Sequence, residues 1–302
     1  MMEAVKQALS EHGIVYREHL LLHTVCTLRV GGVADLGIEP ANEEELRLTV
    51  SLLNEAGIPF EVIGRGSNLF FGDGRLEGAL ILTEKMAGIR CDSERIYVEC
   101  GVTLAALATY AAERSLCGLE FARGIPGSLG GAIFMNAGAY GSSMDQVVIS
   151  SRAMDSKTGE FFTLEEHDFG YRKSIYMEHP RWVCLGADLL LQKGDRDAIV
   201  QRMSELAQKR RASQPLEYPS AGSYFKRPEG HFAGKLIEDA GLKGRSVGGA
   251  QIAQKHAGFL INRGGATARD VLALEELVRD SVKEQFGISL EREVRYLPTA
   301  EG

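Results

Sequence analysis

No Cys-x-x-Cys pair, no Asn-x-Ser/Thr acceptor and no apolar run near the roughly 18 residues a bilayer span needs occurs in this sequence. The five cysteines, Cys26, Cys91, Cys100, Cys117 and Cys184, are scattered and odd in number, which argues against a disulfide framework or a zinc site. The opening residues, MMEAVKQALSEHG, mix both charge signs and carry no apolar segment, so they do not read as a secretory leader. A soluble protein of a reducing cytoplasm is the expectation. An excess of positive charge is missing as well. With 34 Lys and Arg against 41 Asp and Glu, the formal net charge is −7, which argues against nucleic acid as the main partner. It leaves room for a small anion, because a few arginines in one cleft can outweigh the global charge. Repeats and low-complexity tracts are absent too. The 302 residues suffice for two or three domains with cores that need no disulfide or metal.

What is present alternates helix and strand. Asn42 can cap a helix that opens with Glu43, Glu44 and Glu45, buries Leu46, Val50 and Leu53, and stops at Gly57. Strands are expected at 59–64, 78–83 and 95–101, and Thr103 can cap a second helix running to about Gly118. The middle is β-rich: a hairpin over 146–164 turning at Lys157–Gly159, then a strand over 182–194. A polar helix over 198–212 leads to the Pro- and Ser-containing 214–223, the best candidate boundary. Beyond it come a short helix (232–241), a β region (248–262), a long helix opening at Thr267-Ala-Arg-Asp270 with Val271, Leu274, Val278 and Val282 inward, and a strand at 291–297. The class is mixed α+β in about three lobes.

Two glycine motifs stand out. Gly64-Arg65-Gly66-Ser67-Asn68-Leu69 follows a strand, but Leu69 stands where a dinucleotide fingerprint needs its third glycine, and turn and strand follow instead of a helix. This is not a Rossmann loop. Its backbone amides with Ser67 and Asn68 could still form an anion nest, or the segment is a plain turn. The second motif, residues 123–141, has glycine at 124, 127, 130, 131, 138 and 141. Such density in an ordered segment means close backbone approach or repeated positive φ. Interleaved Ile, Phe and Met are foreign to a flexible linker and suit a flat, partly apolar ring with a phosphate tail.

Six segments, GRGSNLFF (64–71), GIPGSLGGAIFMNAGAYG (124–141), FGYRKS (169–174), PSAGSYFKRP (219–228), GGAQIAQKHAGFLIN (248–262) and EREVR (291–295), resemble in order the UDP-N-acetylenolpyruvoylglucosamine reductase family. The short connection from Tyr171-Arg172 to Trp182 is similar to that of its type II branch. The resemblance implies an α+β fold: a two-lobed FAD-binding region of the PCMH/vanillyl-alcohol-oxidase type (lobes 1–88 and 89–209) and a C-terminal α+β substrate-binding domain (210–302) whose last strand returns toward the flavin. It implies non-covalent FAD, NADPH as hydride donor, and reduction of UDP-N-acetylglucosamine enolpyruvate to UDP-N-acetylmuramate for peptidoglycan, hence a part in cell shape and division. A cytoplasmic monomer with no metal, membrane or nucleic-acid partner is expected.

The same resemblance implies site residues. FAD would be held by Gly64, Arg65, Gly66, Ser67, Asn68, Leu69, Pro126, Gly127, Ser128, Gly130, Gly131, Asn136, Ala137, Gly138 and Ala139. Reducing an enolpyruvyl double bond builds negative charge on the α-carbon and carboxylate, and a proton must then reach the α-carbon. Ser223 matches the family's proton donor, Arg172 its carboxylate-stabilising cation, and Glu293 the carboxylic acid beside the intermediate. Tyr171, Arg211, Gln214, His256 and Arg295 fall at positions like the family's substrate contacts. Arg227 departs from the asparagine common there, although arginine can reach a phosphate. Read by residue type alone, these are a turn serine, a solvated arginine and, since Glu291, Glu293 and Arg295 would share a strand face, a charged surface. Asp168-Phe169-Gly170 spells a kinase motif without its companions, and His19 with His23 lacks a metalloprotease context. Two other readings stay open: another FAD oxidoreductase of this architecture acting on a sugar lactone or hydroxy acid, and a non-catalytic flavin or UDP-sugar binding protein.

Overall fold

A computed structural model describes residues 1–300. The chain divides into two compact units, each discontinuous in sequence: Met1–Glu18 with Leu36–Arg65 and Gly78–Lys209, and His19–Asp35 with Gly66–Glu77 and Arg210 to the C-terminus. Among the described residues, no helix is long and apolar enough to cross a membrane.

The first unit contains two cores. In one, the strands Val15–Leu21, Val33–Glu39, Arg75–Leu82 and Phe60–Ile63 hydrogen-bond in that order, the last two in parallel. The helix Glu43–Glu55 contributes Leu46, Val50 and Leu53 to that core beside Leu36, Ile38 and Ile81. Its start is set locally: the Asn42 side chain accepts from the Glu45 N–H at 2.9 Å, and Glu45 accepts in return from the Ala41 N–H at 2.8 Å. The second core lies on an antiparallel sheet ordered Phe161–Leu164, Val148–Asp155, Trp182–Leu190, Arg95–Glu99 and Ile89–Asp92. The helices Leu104–Glu113 and Leu129–Phe134 contribute Leu107, Ala111 and Ile133 to it. The hairpin at 157–159 forms as its sequence suggests, with Gly159 at φ +72°. The helix after Thr103 does not reach Gly118. It ends at Glu113, Ser115 turns left-handed at φ +57°, and Leu116–Cys117 pairs as a short strand with Gln192–Lys193. A pairing partner 75 residues away overrides a helical pattern there.

The second unit is built on an antiparallel sheet of Ser220–Ser223, Phe259–Asn262, Ala250–Ile252 and Ser246–Val247. The helix Ala268–Phe286 packs Val271, Leu274, Val278 and Val282 into its core, opens on a complete Thr267–Asp270 capping box and ends on Gly287 at φ +72°. The C-terminal strand is shorter than its pattern suggests. Only Arg295–Leu297 is regular, paired in parallel with Leu69–Phe71, and the chain bends at Val294. Glu291, Glu293 and Arg295 therefore do not line one strand face; the bend breaks the alternation.

Candidate functional site

In the first unit, the strand Phe60–Ile63 delivers Gly64 against the second glycine motif. A Cβ on Gly64 would lie 2.2 Å from Ser128 Oγ, so only glycine permits this approach. Ser128 is 1% exposed, and its hydroxyl has no protein partner. A buried hydroxyl left unpaired costs about 1–3 kcal/mol, which a ligand acceptor or donor would recover. Gly131 is exposed and a Cβ there would meet nothing within 4 Å, so one side of this loop is open. The orphaned hydroxyl and open glycine face fit a phosphate-bearing cofactor. Two of the six glycines serve close approach and one serves left-handed backbone. Gly130 would contact Cys100, Gly138 would strike the Ser142 carbonyl, and among the six only Gly141 has positive φ. The left-handed residues beside it are Asn136 at φ +40° and Tyr140 at φ +57°. Asn136 is buried; it donates to the Gly170 carbonyl at 3.0 Å and accepts from the Asp145 N–H at 3.0 Å. That places the glycine loop beside the segment carrying Tyr171 and Arg172.

Gly170 and Lys173 exchange backbone hydrogen bonds of 3.1 and 3.2 Å, making a tight turn with Tyr171 and Arg172 at its tip. Arg172 occupies the third turn position at φ +54°, where glycine or asparagine is the low-cost choice. A long side chain kept in left-handed backbone costs about 1–2 kcal/mol. Its guanidinium lies 5.1 Å from the exposed Tyr171 ring and reaches the Gly138 carbonyl at 3.5 Å. The turn is tied down from below. Ser174 donates to the Phe134 carbonyl at 2.7 Å, and Ser151 Oγ lies 2.8 Å from His167 Nε2 and 2.7 Å from Tyr176 OH. Burial lowers the pKa of His167 and raises that of Tyr176, so both stay neutral at pH 7. Ser151 Oγ thus bridges a neutral imidazole and a neutral phenol.

In the second unit, Gly66 has φ +58° and a Cβ on it would strike the Val25 carbonyl, so the GRGSN turn is pressed on backbone. A strand, Leu69–Phe71, follows it, as expected of a turn that is not a Rossmann loop. Asn68 donates to the Glu293 carbonyl at 3.2 Å and accepts from the Arg295 N–H at 2.9 Å. The Glu293 N–H donates to the Tyr224 carbonyl at 2.9 Å, so Glu293 lies beside the residue that follows Ser223. Ser223 is exposed and Glu293 half-buried. Thus Ser223, Glu293, Asn68 and Arg295 are gathered by backbone pairing, whereas Arg172 and Tyr171 lie in the first unit.

His256 Nδ1 accepts from the Gly258 N–H at 3.1 Å, which leaves hydrogen on Nε2 as a donor, and burial holds the ring neutral by lowering its pKa. Gln214 Oε1 is buried with no protein partner. Arg211 is exposed at the end of the helix Arg196–Ser213, where its carbonyl accepts from Lys255. Arg227 lies 3.9 Å over the Phe232 ring and donates to the His231 carbonyl at 3.3 Å. Two clefts of about 660 and 600 Å³, one within each unit, are lined by none of these residues.

Sequence reasoning passed over Ser151, His167, Tyr176 and Glu275. Glu275 carried a readable signal: it falls four residues after Val271 and three before Val278, on the inward stripe, where a carboxylate is out of place.

Known proteins resemble this chain over nearly its whole length. Residues 34–165 match an FAD binding domain family, and residues 214–297 match the UDP-N-acetylenolpyruvoylglucosamine reductase C-terminal domain. The UDP-N-acetylenolpyruvoylglucosamine reductase of Clostridium novyi (strain NT) is 44% identical over 281 residues, covering 92% of this chain and 91% of that protein. The enzyme of the same name from Clostridium perfringens (strain SM101 / Type A) is 46% identical over 270 residues, covering 89% and 88%. The crystal structure of UDP-N-acetylenolpyruvylglucosamine reductase from Thermus caldophilus superposes with a TM-score of 0.80 at 34% identity, covering 94% of this chain and all (100%) of that one.

Proposed function

The chain belongs to the UDP-N-acetylenolpyruvoylglucosamine reductase family, and from that membership we propose that it reduces UDP-N-acetylglucosamine enolpyruvate to UDP-N-acetylmuramate, a peptidoglycan precursor, with NADPH as donor. Near-full-length identity to reductases of this name, with both an FAD-binding and a reductase C-terminal domain on one chain, carries the reading. FAD, held non-covalently, would supply the two-electron chemistry that no side chain offers. Gly64–Leu69, Pro126–Ser128, Gly130, Gly131 and Asn136–Ala139 are the residues that would hold it; the orphaned Ser128 hydroxyl and the open side of Gly131 support this. The lobes 1–88 and 89–209 would serve the cofactor and 210–302 the substrate. The protein would work as a cytoplasmic monomer.

Arg172 would balance the substrate carboxylate as charge builds there, since a guanidinium stays cationic and matches a carboxylate in shape. Ser223 Oγ would give its proton to the α-carbon. Serine is a weak acid, so the transfer relies on a strongly basic carbon and on fixed geometry. Glu293 would stabilise the same intermediate by hydrogen bonding. Tyr171, Arg211, Gln214, Arg227, His256 and Arg295 would orient the nucleotide sugar. The buried, unpartnered Gln214 Oε1 and the donor-bearing Nε2 of neutral His256 support that role.

The test begins with colour. The purified protein is expected to be yellow, to bleach with NADPH, and to recover its colour anaerobically when the enolpyruvyl substrate is added. A colourless, FAD-free protein after gentle purification overturns the reading.

A further inference from the structure

The inward face of the helix Ala268–Phe286 is aliphatic except at Glu275, which is 5% exposed among Val271, Leu274 and Val278. A carboxylate in such a place is tolerated only if donors surround it. Three do. Arg279, one turn on along the helix and itself exposed, reaches Oε1 at 3.4 Å. The Tyr224 hydroxyl and Arg292 Nη1 both converge on Oε2, at 2.8 and 3.1 Å.

Those last two donors lie 68 residues apart, and each adjoins a residue assigned to the chemistry above: Tyr224 follows Ser223, and Arg292 precedes Glu293. The two segments run side by side. The Glu293 N–H donates to the Tyr224 carbonyl at 2.9 Å, the Lys226 N–H to the Glu291 carbonyl at 2.8 Å, and Phe225 bridges Arg292. The pairing is short, three residues on each side, and a slip of one residue would turn Glu293 to the opposite side. Burial and the adjacent Glu275 charge raise the Tyr224 pKa, so its hydroxyl remains a donor. An apolar residue at 275 could fill the core as well. What it could not do is hold two separate segments on one oxygen.

We infer that Glu275 is a positioning residue, which sets the register of the Ser223 segment against the Glu293 segment by binding Tyr224 and Arg292 together. The inference rests on the proposal that Ser223 and Glu293 serve the reduction of the substrate.

The test separates the half-reactions of the FAD-loaded enzyme. Glu275→Gln keeps the volume and loses the charge; Tyr224→Phe removes one arm; Ser223→Ala is the reference. Each protein is followed by its melting temperature, by bleaching with NADPH and separately with dithionite, by reoxidation with the enolpyruvyl substrate, and by amide hydrogen exchange at Glu293. Glu275→Gln is expected to bleach at the wild-type rate, to be reoxidised about tenfold or more slowly, as misplaced groups react, and to exchange the Glu293 amide faster. Tyr224→Phe is expected to show the same pattern more weakly. The inference is overturned if Ser223→Ala blocks reoxidation while Glu275→Gln and Tyr224→Phe leave both reoxidation and Glu293 exchange unchanged. It is equally overturned if both variants slow bleaching and reoxidation alike in step with lost stability. If Glu275→Gln does not fold, Tyr224→Phe decides by the same two readouts. Wild-type reoxidation in Ser223→Ala, with Glu293 exchange still faster in Glu275→Gln, instead removes the assignment of Ser223 and leaves the register device standing.

Discussion

The turn bearing Arg172 and the paired segments bearing Ser223 and Glu293 hold their polar groups by different means. Arg172 sits at the tip of a four-residue turn, in left-handed backbone that resists it, over a buried chain of Tyr176, Ser151 and His167 hydroxyl and imidazole groups. Ser223 and Glu293 sit on backbone without positive φ, aligned by the pairing of two distant segments of the chain and by one buried carboxylate. The first device spends local strain to aim one cation. The second spends a buried charge to align two groups that would otherwise slide. A single group can be placed by its own turn, whereas a pair needs something that touches both.

The strongest way to break this contrast is at the pair. Replacing Glu293 by Ala is expected to lower turnover by about a thousandfold, the scale of a lost transition-state partner. Glu293→Gln, which keeps a hydrogen-bonding head, is expected to turn over measurably. Steady-state rates of UDP-N-acetylmuramate formation decide it, and near-wild-type rates for both would remove Glu293 from the chemistry.

Next in size is the anchor beneath the turn. Ser151→Ala leaves His167 Nε2 and Tyr176 OH buried without their shared partner, which should cost about 1–3 kcal/mol of stability. Chemical denaturation measures it, and an unchanged midpoint would mean the chain of hydroxyls contributes nothing.

A smaller effect with opposite signs is expected at the tip. Arg172→Gly relieves the left-handed strain and should raise stability by about 0.5–1 kcal/mol after the entropy cost of glycine, while activity falls. A loss of both would show that the turn is not strained. The smallest effect is a pH dependence. Burial lowers the His167 pKa, so the unfolded chain takes up a proton first as pH falls below about 6.5. The stabilisation is complete above that pH and drains away as pH falls toward the folded value. His167→Asn should therefore show a flatter melting temperature between about pH 6.5 and 5 than the wild type. Parallel curves would contradict the neutral, buried ring.

Patterns that act over one or two turns were legible in the chain itself. Asn42 with Glu45 and Thr267 with Asp270 mark helix starts because capping bonds join residues three apart, and the inward stripe Val271, Leu274, Val278, Val282 follows the helical period. The glycine motifs and the ordered C-terminal segments were likewise enough to place the chain in its family. Tertiary structure alone decided which segments belong together. Residues 19–35 and 66–77 join the C-terminal part, Leu69 pairs with Arg295 across more than two hundred residues, and the helix after Thr103 yields to a distant strand. It also decided that Glu275 is a hub and not a flaw in the stripe. The physical reason is the same in each case. A cap or a helical period is an interaction between near neighbours, whereas a register or a buried ion cluster exists only once chain-distant partners have met.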